Sequence, residues 1–328
     1  MKEAVARANS NVALAKYWGK RNEPLNLPYT GSISVTLAGL TTTVRTGFSA
    51  SLPADRIILN GELSEGREAD RISSFLDLVR RRTGSAARAE VEVSSNFPVA
   101  AGLASSASTF AALALSASRA AGMVLDDRSL SVLARRGSGS AARSIFGGYV
   151  EWLAGEASDG SDSYAVQFAS PDHWRLGIVV AITNEGQKKV GSREGMARAV
   201  KESPFFPAWL ESHEADLEDV RRGILERDLP RVGQAAEHNC LKMHAVAMAV
   251  RPPLLYWSPA TVAVMQRVWR LRDEGFEAFF TIDAGPQVKI LCPWAQRAAV
   301  AEAIGRVTGV QRILLSEPGG NAEVLETV

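Results

Sequence analysis

The sequence predicts an α+β fold divided between two domains. The chain has 328 residues, more than a single hydrophobic core usually organises. Its first half shows strand-like alternation broken by a few helical segments, and its second half is richer in helical stripes. A continuous apolar run at 176–182 has the length of a buried strand, and we place the domain change near it. The predicted domains are therefore 1–182 and 183–328.

Local periodicity and turn residues predict the elements of the first half. Period-two alternation indicates strands, and apolar residues on one helical face indicate helices. The dipeptide Asn60-Gly61 is typical of a tight hairpin turn. The predicted strands are 32–37, 41–46, 56–59, 89–93 and 147–152. The predicted helices are 70–82, 109–115 and one that begins near 125–130, with an exposed loop at 156–163.

The second half combines long helices with three further short strands. The predicted helices are 192–200, 207–226, 229–249, 261–274 and 293–307. The predicted strands are 276–282, 288–292 and 312–315, and the last of them is expected to close a sheet. The tail from Ser316 carries no clear order signal.

Composition excludes several classes of protein. Hydrophobic residues make up 46% of the chain and charged residues 22%, as in globular proteins, and the net charge of +1 disfavours nucleic acid as a partner. Cys240 and Cys292 lack metal-ligand spacing and indicate a reducing compartment. The most apolar run is too short to span a membrane. We therefore predict a cytoplasmic protein that acts on a small molecule.

A small-residue segment at 97–108 lies between a predicted strand and a predicted helix. Small residues let the backbone approach a ligand closely, and a helix start offers unpaired N–H groups to phosphate. Ser105, Ser106 and Ser108 add hydroxyls for phosphate oxygens or a metal ion. The alternative is a small-residue turn in which serines cap the helix.

A second candidate segment, 11–21, concentrates three cations and two aromatic residues. On a strand, Lys16, Trp18 and Lys20 would share one side, and Tyr17 would face the other. Such a strand could hold two ammonium groups over an anion. The alternative is an edge strand with its lysines in solvent.

Three further segments combine turn residues with charge. Segment 135–148 contains several glycines and serines together with Arg143. The guanidinium of Arg143 can bind a carboxylate or phosphate through two hydrogen bonds. Segment 188–196 places basic residues before a helix start. Asp283 follows an apolar strand and precedes a sharp turn, where it could orient or deprotonate a hydroxyl. The alternatives are a Gly/Ser loop, a basic helix cap and a turn aspartate. A Walker A motif and protein-kinase signatures are absent from the sequence.

Together these segments resemble one family of the small-molecule kinase superfamily, the diphosphomevalonate decarboxylases. The resemblance runs in chain order from about Ala8 to Leu291 and rests on six motifs. They are 11–20, 98–108, 138–149, 238–245, 252–256 and the Asp-Ala-Gly-Pro of 283–286. Ala104 occupies the loop position between Leu103 and the serines. The decarboxylase branch resembles this chain at that position, whereas many relatives in the superfamily have glycine there.

The resemblance implies a fold, a reaction and partners. The fold would pair an N-terminal ribosomal-protein-like α/β domain with a ferredoxin-like α+β C-terminal domain. With ATP and Mg²⁺, the protein would phosphorylate the 3-hydroxyl of mevalonate 5-diphosphate. Loss of phosphate and CO₂ would then yield isopentenyl diphosphate. A homodimer is also implied, and neither a nucleic acid nor a membrane is expected as a partner.

The resemblance also assigns roles to residues. Asp283 would orient or deprotonate the hydroxyl, Lys16 would stabilise the transferring phosphoryl group, and Arg143 would hold the substrate carboxylate. The implied substrate-binding residues are Tyr17, Trp18, Gly19, Lys20, Ser138, Gly139, Ser140, Ala141, Ala142, Arg143, Ser192 and Arg193. The implied ATP-binding residues are Ser94, Ala101, Gly102, Leu103, Ala104, Ser105, Ser106 and Ser108, with Ser106 also near Mg²⁺.

Alternatives remain within the same superfamily and outside it. A phosphomevalonate decarboxylase would act on the monophosphate, and a mevalonate 3-kinase would phosphorylate without decarboxylating. A non-catalytic ligand-binding relative and a phosphotransferase for another hydroxylated acid are further alternatives. The residues named above are compatible with a substrate that carries either a monophosphate or a diphosphate.

Overall fold

The computed structural model describes residues 2–97, 105–184, 186 and 190–327. The strands are β1 (Lys2–Ala15), β2 (Lys20–Asn22), β3 (Leu27–Pro28), β4 (Ser32–Ser49), β5 (Arg56–Leu59), β6 (Glu62–Leu63), β7 (Arg88–Ser95), β8 (Tyr149–Trp152), β9 (Ala165–Ala169), β10 (Leu176–Ile182), β11 (Phe279–Ile282), β12 (Val288–Pro293), β13 (Arg312–Ser316) and β14 (Glu323–Thr327). The helices are α1 (Arg67–Thr83), α2 (Ser105–Ala120), α3 (Asp127–Gly137), α4 (Ser192–Glu202), α5 (Phe206–Glu226), α6 (Leu229–Met248), α7 (Pro259–Asp273) and α8 (Arg297–Gly305). Short 3₁₀ helices occupy Gly139–Ile145, Pro171–His173 and Trp294–Gln296.

The first sheet is organised around one long strand, β4. Its order is β14-β1-β4-β7-β5-β6, and β8 and β9 extend from the first part of β4. The strands predicted at 32–37 and 41–46 are therefore one strand that changes neighbours, from β8 at Ser32–Val35 to β7 at Thr42–Ser49. Positive φ at Gly39 accommodates the break between the two parts.

Helices α1, α2 and α3 pack on one face of this sheet. Most of α2 is buried, because its alanines and serines allow close approach to the strands. Its buried hydroxyls are paired with the sheet: Ser116 Oγ lies 2.8 Å from Thr46 Oγ1. This packing places the N-terminus of α2 next to the end of β7.

The second sheet has the order β11-β12-β10-β13, with every neighbouring pair antiparallel. This is the strand order of a ferredoxin-like βαββαβ unit, here with four helices between its first two strands. All seven residues of β10 are buried because both of its faces are covered. Ile178 and Val180 enter one apolar cluster, and Val179 and Ala181 enter another. The two-domain α+β prediction is thus confirmed.

The domain limits differ in detail from the prediction at residue 182. Strand β10 belongs to the second sheet, so a division by sheets falls before Leu176. One apolar cluster also contains residues of both sheets, including Val35 of β4 and Ile178 of β10. The two units therefore share part of their core.

Residues 317–327, where the sequence carries no clear order signal, are ordered in the structure. Strand β14 pairs with β1 in the first sheet, and Arg7 forms an ion pair with Glu323. The backbone N–H of Gly319 donates to the Thr36 carbonyl at 2.9 Å. Edge pairing with a distant strand orders this segment, and no local sequence pattern encodes such pairing. Among the described residues, no helix is both long and apolar enough to cross a bilayer.

Candidate active site

The carboxylate of Asp283 is held between two buried lysines. It follows the last residue of β11 and opens a tight turn, in which the Gly285 N–H donates to the Asp283 carbonyl at 2.7 Å. Lys16 Nζ lies 2.8 Å from Oδ1, and Lys289 Nζ lies 3.1 Å from Oδ2. Both lysine side chains are 2% exposed, whereas that of Asp283 is 24% exposed. The open side of the carboxylate is therefore available to a ligand.

Electrostatics keep this carboxylate ionised. Burial alone would raise the pKa of Asp283, but the ammonium groups of Lys16 and Lys289 outweigh it and hold that pKa well below its usual range. Burial lowers the pKa of Lys289, an effect that the Asp283 charge opposes. The result is an anionic oxygen acceptor flanked by two positive charges.

Lys16 is placed by contacts with both domains. Its ammonium donates to the Ala13 carbonyl at 2.8 Å, at the end of β1. Its backbone N–H donates to Asn239 Oδ1 on α6 at 2.7 Å. Thr281 of β11 donates to the same Ala13 carbonyl at 3.3 Å. The junction of β1 with the second sheet thus fixes Lys16 beside Asp283.

The segment after Lys16 does not continue as the predicted strand. Strand β1 ends at Ala15, and the chain turns through Gly19, whose φ is 98°. A Cβ on Gly19 would lie 2.7 Å from the Phe206 ring, so this turn requires glycine. Trp18 is buried in an apolar cluster, and Tyr17 packs against the same cluster and against Trp152. Lys16, Trp18 and Lys20 do not share one strand face.

Arg143 is a buried cation that retains an unpaired donor. It lies in the 3₁₀ helix Gly139–Ile145 and is 2% exposed. Its Nη1 donates to Ser32 Oγ at 2.6 Å, and its Nη2 donates to Asn11 Oδ1 at 3.3 Å. Its Nε finds no acceptor within the described ranges. Burial lowers its pKa to about 10, so the guanidinium stays charged, and a ligand carboxylate would match it.

Lys20, Arg71 and Arg193 form a basic cluster contributed by three elements. Lys20 Nζ donates to Asn26 Oδ1 at 2.6 Å. Burial, then the neighbouring charge of Arg193, lowers the pKa of Lys20 to about 8, with a smaller contribution from Arg71. Ser192 and Arg193 are the first two residues of α4, after the N-cap Gly191. Mutual repulsion within this cluster would be relieved by a bound anion.

A row of hydroxyls connects the N-terminus of α2 with the start of the 3₁₀ helix. Ser106 Oγ lies 3.3 Å from Ser138 Oγ, and Ser138 Oγ lies 3.4 Å from Ser140 Oγ. Ser105 and Ser106 also line a pocket beside α1. Ala101, Gly102, Leu103 and Ala104 lie outside the described residues.

Gly139 allows an aromatic ring to approach this row. A Cβ at Gly139 would lie 2.7 Å from the Tyr17 ring and 2.8 Å from Trp152. The hydroxyl of Tyr17 is buried and has no partner within the described part of the chain. Burial raises the pKa of Tyr17, so the hydroxyl remains a donor.

The structure shows the environment of four further predicted site residues. Alternate residues of β7 face opposite sides, so Ser94 lies on the exposed side, and Ser95 lines the pocket. Ser108 is fully buried and paired with Thr42 Oγ1 at 2.7 Å, beneath α2. The side chains of Ala141 and Ala142 are buried in apolar clusters.

The residues around Ser106 suit a magnesium ion that is carried by a nucleotide. The described residues contain no group of three His, Cys, Asp or Glu side chains that could hold a metal. Mg²⁺ commonly keeps several waters and binds through phosphates with one or two protein oxygens. A hydroxyl such as Ser106 Oγ, which has a long contact of 3.3 Å to Ser138 Oγ, fits that role.

Several residues of the site were not singled out from the sequence. They are Asn11, Arg71, Asn239 and Lys289. For Lys289 a usable signal existed, since it is the one charged residue in the apolar strand segment 288–292. Asn11 and Asn239 lie in the motifs 11–20 and 238–245, but a buried asparagine looks the same in sequence as an exposed one.

Known proteins match both halves of the chain. The model of a diphosphomevalonate decarboxylase-like N-terminal domain matches residues 8–165. That of a mevalonate 5-diphosphate decarboxylase C-terminal domain matches residues 178–317. The human diphosphomevalonate decarboxylase is 37% identical over 299 residues, which are 85% of this chain and 74% of that protein.

Solved structures match over nearly the whole length. Mevalonate diphosphate decarboxylase from Staphylococcus aureus has a TM-score of 0.93 and 40% identity, covering 99% of this chain and 98% of that chain. The structure described as MDDEF in complex with MVAPP, AMPPCP and magnesium has a TM-score of 0.93 and 39% identity, covering 99% of both chains. Because both domains match in order at these identities, the chain belongs to the diphosphomevalonate decarboxylase family.

Proposed function

We propose that this chain catalyses the ATP-dependent decarboxylation of mevalonate 5-diphosphate to isopentenyl diphosphate, releasing ADP, phosphate and CO₂. Family membership and the likeness to a solved complex with MVAPP, AMPPCP and magnesium support this activity. The observation that carries it is the open Asp283 carboxylate between two buried ammonium groups, within electrostatic reach of buried Arg143.

In the first step the 3-hydroxyl oxygen attacks the γ-phosphorus of ATP, and ADP leaves with the bridging oxygen. Asp283 accepts a hydrogen bond from the hydroxyl and so orients its lone pair toward phosphorus. The carboxylate is a weak base because its pKa is depressed, and it takes the proton as the new P–O bond forms. Lys16 offsets the charge of the transferring group. Phosphoryl transfer depends mainly on such positioning and charge stabilisation.

In the second step the C–O bond to the new phosphate breaks. The electron pair of the bond to the carboxylate carbon forms the C=C double bond, and CO₂ leaves. Arg143, whose buried Nε–H has no acceptor among the described residues, holds the carboxylate during this step. A fixed carboxylate keeps the breaking C–C bond aligned with the departing phosphate.

The substrate diphosphate and ATP occupy separate groups of residues. Lys20 and Arg193, with the hydroxyls of Tyr17, Ser138 and Ser140, bind the substrate diphosphate. The α2 N-terminus, with Ser105 and Ser106, binds ATP phosphates. Mg²⁺, when bound to these phosphates, neutralises part of their charge.

Location and assembly also belong to the proposal. Both cysteines are buried and free, which supports a reducing, cytoplasmic compartment. The homodimer rests on the family resemblance.

Product analysis tests the proposed activity. Purified protein is supplied with ATP, Mg²⁺ and either mevalonate 5-diphosphate or mevalonate 5-phosphate, and ADP, phosphate and CO₂ are measured. We expect equal amounts of the three products with the diphosphate and much slower turnover with the monophosphate. ADP without CO₂ would indicate a 3-kinase, a preference for the monophosphate would reassign the substrate, and inactivity with both would indicate a ligand-binding relative.

A further inference from the structure

We propose that Lys289 is a positioning residue that acts through Asp283, sharing with Lys16 the task of orienting this carboxylate toward the substrate hydroxyl. The inference rests on the proposed function. It assigns a role to a lysine in the predicted strand 288–292, which carries no candidate site residue. Lys289 touches Asp283 and is not expected to touch the substrate.

The two lysines hold different oxygens of one carboxylate. Lys16 Nζ lies 2.8 Å from Oδ1, and Lys289 Nζ lies 3.1 Å from Oδ2. They come from different domains, since Lys16 follows β1 and Lys289 lies in β12. Two fixed contacts define the carboxylate plane, whereas a single contact would let it rotate about χ2. Removing Lys289 would therefore leave Asp283 attached at one oxygen.

The position of Lys289 is unfavourable for a lysine of purely structural value. It is buried and lies between the apolar residues Val288 and Ile290 of β12. Burying an ammonium group is costly, and a buried ion pair adds little to stability compared with apolar packing. The contact with the Asp283 carboxylate therefore explains why a lysine occupies this buried strand position.

The charges around Asp283 determine how its ionisation would respond. Lys16 and Lys289 contact it, and Arg143 faces it from the 3₁₀ helix. Cys240 and His244 face this region from α6. Burial raises the pKa of Cys240 to about 11 and lowers that of His244 to about 3, so both stay neutral near neutral pH. Without Lys289, mainly Lys16 would oppose the effect of burial on the pKa of Asp283. That pKa would rise, so Asp283 would take up a proton at higher pH.

The first test is the pH profile of kcat for Lys289→Met, with ATP, Mg²⁺ and mevalonate 5-diphosphate. We expect kcat at neutral pH to fall about 10- to 100-fold, as for loss of a charge-assisted hydrogen bond. The acid limb of kcat should move upward by about one to three pH units. KM should change by less than about threefold, because Lys289 makes no ground-state contact with substrate. An unchanged acid limb with active wild-type protein would overturn the inference, whereas inactive wild-type protein would overturn the proposed function.

Arg80→Met is the matched control. It removes one partner of the buried Arg80–Asp55 ion pair, which lies in the first domain. Its stability should fall, but its pH profile should match wild type. Lys289→Arg, which keeps the charge, should restore the wild-type acid limb.

A double-mutant comparison tests whether Lys289 acts through Asp283. In an Asp283→Asn background the carboxylate charge is absent, so adding Lys289→Met should lower the residual rate by less than about twofold. A loss as large as in the wild-type background would show that Lys289 acts independently. If Lys289→Met does not fold, Lys289→Gln carries the same tests. Failure of both to fold, while Arg80→Met folds, would assign Lys289 a structural role and overturn the inference.

Discussion

The side-chain oxygen of Asn239 accepts the backbone N–H of Lys16 at 2.7 Å, and this bond joins the two domains behind the proposed reacting centre. The amide nitrogen of Asn239 donates to Asp216 Oδ2 at 2.8 Å and lies 3.2 Å from His213 Nδ1. His213 Nε2 lies 2.9 Å from the Gly31 carbonyl. Burial lowers the pKa of His213 to about 4, so a neutral ring that donates from Nε2 completes the network. Lys16 is thus held at both its main chain and its side chain.

Asn239→Ala should weaken both stability and turnover. The buried Lys16 N–H would lose its acceptor, which costs about 1–3 kcal/mol of unfolding free energy. A less fixed Lys16 should also lower kcat at saturating substrate. Urea unfolding and steady-state kinetics measure the two effects. Asn9→Ala, which removes an exposed hydrogen bond to Gly320, is the control and should leave kcat unchanged. An Asn239→Ala variant with wild-type kcat would contradict this role.

Asp283→Asn should abolish most turnover while leaving substrate binding intact. An amide accepts the hydroxyl's hydrogen bond less strongly, cannot take its proton and loses both charge-assisted contacts. We expect kcat to fall by about three orders of magnitude. Affinity for mevalonate 5-diphosphate, measured by calorimetry without ATP, should change little. The Glu317→Gln variant, at a partly exposed residue paired with Arg175, controls for loss of a carboxylate. Near-wild-type turnover of Asp283→Asn would exclude the proposed role of Asp283.

Binding of the substrate diphosphate should depend on the protonation of Lys20. Its pKa is lowered to about 8, so the free enzyme loses this positive charge as the pH rises through 8. A bound diphosphate favours the charged form, so KM should rise above that pH while kcat stays constant. Lys20→Arg should remove this rise, because arginine remains charged. Lys20→Ala should raise KM about 10- to 100-fold at neutral pH. A wild-type KM that stays flat across pH 8 would count against Lys20 as a diphosphate ligand.

Gly319→Ala tests the packing of the C-terminal segment. A Cβ at Gly319 would lie 2.7 Å from the backbone nitrogen of Ala38, and backbone cannot move aside as a side chain can. The unfolding free energy should fall by about 1–3 kcal/mol, as for overpacking elsewhere. Gly320→Ala is the matched control, because nothing lies within 4 Å of its added Cβ. Equal stability of the two variants would mean that the C-terminal segment does not pack tightly against β4.

The candidate site was partly predictable from the sequence. Asp283 was identified because a strand end followed by Ala-Gly-Pro is a local pattern, and Lys16 and Arg143 stood in recognisable motifs. The exposure of Ser94 and the burial of Ser108 were not predictable from the sequence, for one physical reason. Whether a residue faces a pocket depends on which side of the sheet or helix is covered, and a single segment does not contain that information.

The sequence by itself determined most of the helices and several of the strands, because the periods of strands and helices and the residues of turns are local properties. It also determined the family, because several spaced motifs recur in order. Only the tertiary structure decided that β14 completes the first sheet beside β1. It likewise decided that Asp283 meets Lys16 across 267 residues and Lys289 across a hairpin. Contacts of this kind arise when two sheets and α6 pack around one junction, and their geometry follows from the packing of all these elements together.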